Sequence, residues 1–111
     1  MATLKSIVVT QCDNELYGLA VPSSGTFSSE LFHFKLGGGI GAAPINYTLP
    51  NDAMLPAGNY TLLLIGINWG GPANFEVTVN YQSGAPTVLK YGAPNPGVGA
   101  VWTPAGVPIT V

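Results

Sequence analysis

Charge is what this sequence has least of. Eight of its 111 side chains are formally charged, Lys5, Lys35 and Lys90 against Asp13, Glu15, Glu30, Asp52 and Glu76, and none is arginine. The total is 7%, where an ordinary globular domain carries roughly a quarter. Three scattered lysines and a net charge of −2 cannot neutralise the run of phosphates on which nucleic-acid affinity rests, nor make a polybasic membrane contact. The single cysteine, Cys12, excludes an internal disulfide framework and a cysteine-rich zinc site. The single histidine, His33, has no nucleophile elbow near it and no second titratable group at a fixed spacing, so it reads as a packed or edge histidine. Paired carboxylates at a catalytic spacing are missing too, and the reading is a non-enzymatic protein without cofactor or metal. The longest apolar run, residues 62–67, is far short of the ~20 needed to span a bilayer. The N-terminus lacks a basic stretch followed by an apolar one, so a cytosolic chain without a signal peptide is expected.

What is present is apolar and turn-rich. The chain is 47% hydrophobic with 15 glycines and 10 prolines, and its mean hydropathy is +0.35. At this length one domain is expected. Gly or Pro interrupts nearly every stretch that might hold three helical turns, whereas period-2 alternation recurs. Residues 4–11 are β-branched and end in a polar cluster, Cys12 to Glu15, which reads as a turn. Residues 16–21 read as a second strand. Between Thr26 and Leu36, Phe32, Phe34 and Leu36 alternate with Leu31, His33 and Lys35. Residues 45–49 alternate as a half-buried strand, and 60–67 are apolar on both faces, the pattern of a strand covered on both sides. In residues 73–82, Phe75, Val77, Val79 and Tyr81 face one way and Asn74, Glu76, Thr78, Asn80 and Gln82 the other. A shorter strand is expected over 87–91. The fold class is therefore all-β: a single β-sandwich or jelly-roll-like domain of about seven strands over residues 1–91.

Residues 92–111 differ. Prolines at 94, 96, 104 and 108 remove backbone donors and prevent a central strand. They predict an extended Gly/Pro-rich arm with one edge segment at its end, packed on its own domain or on a neighbouring subunit.

Few constellations carry chemistry. Residues 37–42, Gly-Gly-Gly-Ile-Gly-Ala, match a dinucleotide fingerprint in letters only, because Pro44 and a strand follow where a helix N-terminus is needed. Asp13, Glu15 and Asp52 supply oxygens but no calcium-loop spacing, and they read as turn caps. The sequons at Asn46 and Asn59 read as strand composition. Asp13 and Glu15 beside Cys12 should raise its thiol pKa and leave it unreactive. The two tryptophans lie outside the periodic strands. Trp69 in Asn-Trp-Gly-Gly-Pro is placed to stack on a sugar with Asn68 reading its hydroxyls, or to anchor a protein interface together with Trp102, Val107, Ile109 and Val111 of the arm; plain burial of each tryptophan against the sandwich edge is the reading that the average burial of large aromatics favours.

In size, composition and extended termini the whole chain resembles the small β-sandwich decoration, or cement, proteins of tailed-phage capsids. That resemblance implies a structural protein that clamps neighbouring copies of the major capsid protein, pairs with itself as a dimer or trimer, and is made in host cytoplasm before residing on the virion surface. The low charge fits, because a subunit that coats a particle buries apolar surface permanently. A second resemblance, of residues 68–79, Asn-Trp-Gly-Gly-Pro-Ala-Asn-Phe-Glu-Val-Thr-Val, to the last-strand region of calcium-dependent galactose-binding lectins implies a small soluble carbohydrate-binding protein instead.

Overall fold

A computed structural model describes residues 3–25, 28–35 and 55–111 in full and 44–50 as backbone. Leu36, the glycine-rich stretch 37–42 and Asp52 lie outside the described residues.

Alternation sets the strands and Gly, Pro, Asn and Asp set their ends. Among the described residues there are nine: β1 (Leu4–Cys12), β2 (Glu15–Pro22), β3 (Ser29–Lys35), β4 (Pro44–Pro50), β5 (Asn59–Asn68), β6 (Ala73–Tyr81), β7 (Thr87–Ala93), β8 (Gly99–Trp102) and β9 (Val107–Thr110). They form two antiparallel sheets. One has the order β4-β1-β6-β7; the other runs β3-β2-β5, with β8 and β9 sharing the far edge of β5. The strand count exceeds the expected seven or so, because the arm supplies two strands, β8 and β9, where a single edge segment was expected.

The two sheets bury one apolar cluster. Ile7 and Val9 of β1 and Phe75, Val77 and Val79 of β6 meet Leu16 of β2, Leu62 and Leu64 of β5 and Ile109 of β9. Each large side chain removed from water here contributes about 1.5–3 kcal/mol. Two glycines are required by close approach. A Cβ on Gly66 would stand 2.7 Å from the Phe75 ring, and one on Gly18 would stand 2.3 Å from the Phe32 ring. The flat spaces they leave are filled by aromatic faces. Phe75 stacks on Trp102 with centroids 5.6 Å apart and planes 3° from parallel, joining one sheet to the other.

The arm is part of this core. Asn59 to Leu62 pair with Thr110 to Val107, and Gly66 to Asn68 pair with Trp102 to Gly99. Pro108 is tolerated because β9 lies on a sheet edge, where its missing N–H faces away from β5. Trp102, Val107 and Ile109 are buried in the chain's own core, and Val111 is half-buried against it. They do not lie on the outer surface as interface side chains.

Two further expectations are corrected. Leu31 does not share a face with His33 and Lys35. The β2–β3 register shifts between Gly18 and Leu19, and this bulge turns both Leu31 and Phe32 inward. Strand β5 is buried on one face only: its burial alternates strictly, leaving Thr61, Leu63, Ile65 and Ile67 half-exposed.

Ile109→Ala is expected to lower the free energy of unfolding by about 2–5 kcal/mol, and deletion of residues 99–111 to leave the chain unfolded at 25 °C, both read by urea denaturation with circular dichroism.

Candidate interaction surface

The outward faces of the two sheets differ sharply. On the β4-β1-β6-β7 sheet the outward positions of β6 are Asn74, Glu76, Thr78 and Asn80, and Glu76 and Asn80 are bonded to neighbouring strands. Thr10 Oγ1 donates to Glu76 Oε1 at 2.7 Å, Lys90 Nζ lies 3.7 Å from Glu76 Oε2, and Asn80 Nδ2 donates to Ser6 Oγ at 3.2 Å. This is the wet face usual for an antiparallel sheet.

The other sheet has no such ladder. Residues alternating out of its core are Tyr17, Leu19 and Val21 on β2 and Thr61, Leu63, Ile65 and Ile67 on β5, all half-exposed. The β2–β5 register sets Tyr17 beside Ile65, Leu19 beside Leu63 and Val21 beside Thr61, so the aliphatic side chains form one patch. Its charged groups stand along the β3 edge. Lys35 pairs with Glu15, His33 with Tyr17 and Glu30 with Leu19, which puts the lysine at one end of the row and the glutamate at the other.

One corner is organised by a polar and aromatic cluster in which the sheet ends meet. Cys12 closes β1, the turn is Asp13-Asn14, and Glu15 opens β2. Asn14 has a positive φ of 94°, a conformation that asparagine tolerates better than other side-chain-bearing residues. Its amide reaches across to the β5–β6 turn: Nδ2 donates to the Pro72 carbonyl at 3.1 Å, and Oδ1 accepts from the Trp69 backbone N–H at 3.2 Å. Asn68, fully buried, donates to the Gly71 and Gly97 carbonyls at 3.1 and 2.8 Å and accepts from the Gly70 N–H at 3.3 Å. Its amide is used within the turn and is not free to read a sugar hydroxyl.

Trp69 is 52% exposed and fixed. Its Nε1–H donates to Glu15 Oε1 at 2.9 Å, and the Lys35 ammonium stands 5.3 Å from the ring centroid, within cation–π range. Glu15 Oε2 is 2.5 Å from His33 Nε2, and the His33 ring stacks on Tyr17 at 4.0 Å. Glu15 is thus enclosed although it belongs to an outward position. The hydrogen bond from His33 holds its carboxyl below the ordinary carboxylate value, with Trp69 helping and burial opposing. Asp13 is the reverse: burial raises its carboxyl, and Oδ2 has no hydrogen-bond partner among the described residues. Burial, followed by the charges of Asp13 and Glu15, pushes the Cys12 thiol up to about 12, the direction its acidic neighbours predict. No group of three or more His, Cys, Asp or Glu among the described residues is placed to hold a metal ion. No helix among them is long and apolar enough to cross a membrane.

At the opposite end a cleft of about 230 Å³ is lined by Pro22, Ser24, Ser29, Leu55, Pro56 and Tyr60. The Tyr60 hydroxyl beside it donates to the Pro56 carbonyl at 2.6 Å.

Of the interface and sugar-binding candidates read from the sequence, Trp69 is exposed at this corner, Asn68 is buried in the turn beside it, and Trp102, Val107 and Ile109 are buried in the core. Glu15, Tyr17, His33, Lys35 and the aliphatic row beside them were not singled out together. The signal for them was the double-sided apolarity of residues 60–67, which marks a second contact face as well as a covered strand. A scan against protein-family models finds no match, and neither the curated proteins nor the solved structures yield one.

The two carboxylates act oppositely on stability. Glu15, lowered, contributes stability present above the ordinary carboxylate range and lost as pH falls through its folded value. Asp13, raised, contributes stability present below that range and lost as pH rises through its folded value. Urea unfolding between about pH 2 and 7 is expected to show less acid destabilisation in Glu15→Gln than in the parent, and a smaller loss on raising pH in Asp13→Asn.

Proposed function

We propose that this chain is a non-enzymatic structural subunit, of the kind that decorates and cements a viral capsid, and that it works by burying the outer face of its five-stranded sheet against protein. The observation that carries the reading is the contrast between the two sheet faces. One is a bonded polar ladder; the other presents Leu19, Val21, Leu63, Ile65 and Ile67 side by side. A contiguous apolar patch of this kind on a free monomer costs solubility, and its usual meaning is an interface. The paucity of charge supports the same reading, since five acidic and three basic side chains leave little to keep a bare monomer in solution. The fold that goes with it is a β-sandwich, two sheets over one core. The buried arm residues serve that core, so attachment runs through the sheet face and Trp69 rather than through Trp102, Val107 or Ile109.

A carbohydrate-binding reading stands second, on the exposure of the Trp69 indole alone. It is less well supported because the Asn68 amide is consumed by its own turn and Lys35 already stands over the ring. A glycan array with and without calcium decides it: binding that Trp69→Ala abolishes favours the lectin, and silence retires it.

Ile65→Lys tests the main reading. Because the side chain is half-exposed, the variant should keep its unfolding free energy within about 1 kcal/mol of the parent. In a density gradient of lysate from the cell that makes the chain, the parent should sediment with a particle and Ile65→Lys should remain at the top. A parent found only at the top, or a variant that sediments like it, overturns the reading.

A further inference from the structure

The apolar face has a size and a charge pattern that point to a particular occupant. The outer face of the sheet, four strands across and eight residues along, measures roughly 20 by 25 Å, with its aliphatic rows on the two inner strands β2 and β5. That is about 500 Å² per copy and roughly 1,000 Å² for a pair, the lower end of what a specific interface buries. The apolar rows are bounded on one side by Glu30, His33 and Lys35 of β3. Among the described residues neither Glu30 nor Lys35 has an ion-pair partner in its own chain; both are exposed, the Lys35 ammonium standing over the Trp69 ring. They sit two cross-strand levels apart: Lys35 at the level of Glu15 and Ile67, Glu30 at the level of Leu19 and Leu63, with His33, Tyr17 and Ile65 midway between.

Two copies packed through one face are related by a two-fold axis lying in the interface plane. If that axis ran along the strands, the β3 edge of each copy would fall on the opposite edge of the other and set its charges against apolar side chains. If it ran across the strands, β3 would fall on β3 with its direction reversed. We propose that the face is closed by a second copy of this chain, about an axis that crosses the strands at the level of Tyr17 and Ile65. Lys35 of each copy then meets Glu30 of the other, Ile67 meets Leu63, and Ile65 meets itself. This rests on the assembly reading above and names one partner for the same surface. The ion pairs lie on the rim, so they set the orientation more than the affinity, while the aliphatic rows supply the burial.

Sedimentation equilibrium on the purified full chain tests it. The parent should be dimeric at about 1 mM and mostly monomeric near 1 µM, as an interface of this size implies. Glu30→Lys and Lys35→Glu should each weaken the dimer roughly five- to tenfold, because every substitution appears twice, and the double variant should regain most of the parental affinity. Ile65→Lys brings two ammonium groups together on the axis and should abolish the dimer. A chain that stays monomeric at about 1 mM overturns the proposal; if Ile65→Lys has nonetheless lost its particle, the assembly reading stands and the occupant is a particle protein. If Ile65→Lys keeps its particle as well, both fall. A double variant no tighter than the single ones overturns the crosswise axis.

Discussion

The contact on which the structure depends is the stack between Phe75 and Trp102 over Gly66. Phe75 belongs to the polar-faced sheet and Trp102 to the other, and their rings lie nearly parallel 5.6 Å apart because Gly66 has no side chain to separate them. Trp102 can reach that position only if β8 pairs with the end of β5, and β9 then has the remaining edge of β5 to fill. One aromatic contact thus commits the proline-rich C-terminal stretch to the interior and completes the second sheet. The prolines that bar this stretch from a sheet centre are compatible with its edge, where a missing N–H leaves no ladder bond unmade.

With the core closed in this way, the scarcity of charge is distributed unevenly. The outer face of β6 has polar residues at every second position, and Thr10, Ser6 and Lys90 bond to them. On the outer faces of β2 and β5 the polar groups, Glu15, Tyr17, Asn59 and Thr61, stand toward the two ends with Leu19, Leu63 and Ile65 between them, and the charged groups nearby are on the β3 edge and at one corner. There Glu15 is ringed by His33, Trp69 and Tyr17, with Lys35 over the indole. This cluster holds Trp69 outward in a single orientation, since the indole N–H, the backbone N–H and one ring face are all engaged. In the proposed assembly reading, an exposed tryptophan already held in place beside the aliphatic face lowers the ordering cost of association.

Much of the fold was legible in the sequence. Strand positions followed from the β-branched residues 4–11, the apolar run 60–67 and the alternation in 73–82, and the turns from Asn68 to Pro72 and from the polar cluster Cys12 to Glu15, of which only Asp13 and Asn14 lie outside the strands. The inward set of β6 was read correctly because one of its faces is apolar and the other polar. Strand β3 was misread at Leu31, since a bulge inserts one residue without leaving a mark in the hydrophobic pattern. The fate of the arm was open for a different reason: Trp102, Val107 and Ile109 are as suited to a neighbour's surface as to the chain's own core, and composition does not distinguish the two.

By itself the sequence determined the class of this protein. Residues of high β propensity, broken at short intervals by Gly and Pro, leave no stretch for a long helix and set an all-β class. Only the tertiary structure decided which apolar residues remain outside. A strand apolar on both faces is read identically whether one face or two are covered, because alternation records side-chain direction and not what lies opposite. The sheet order made that choice, placing Leu63, Ile65 and Ile67 beside Leu19 and Tyr17 on a face with no polar ladder, and setting Lys35 and Glu30 at opposite ends of its rim.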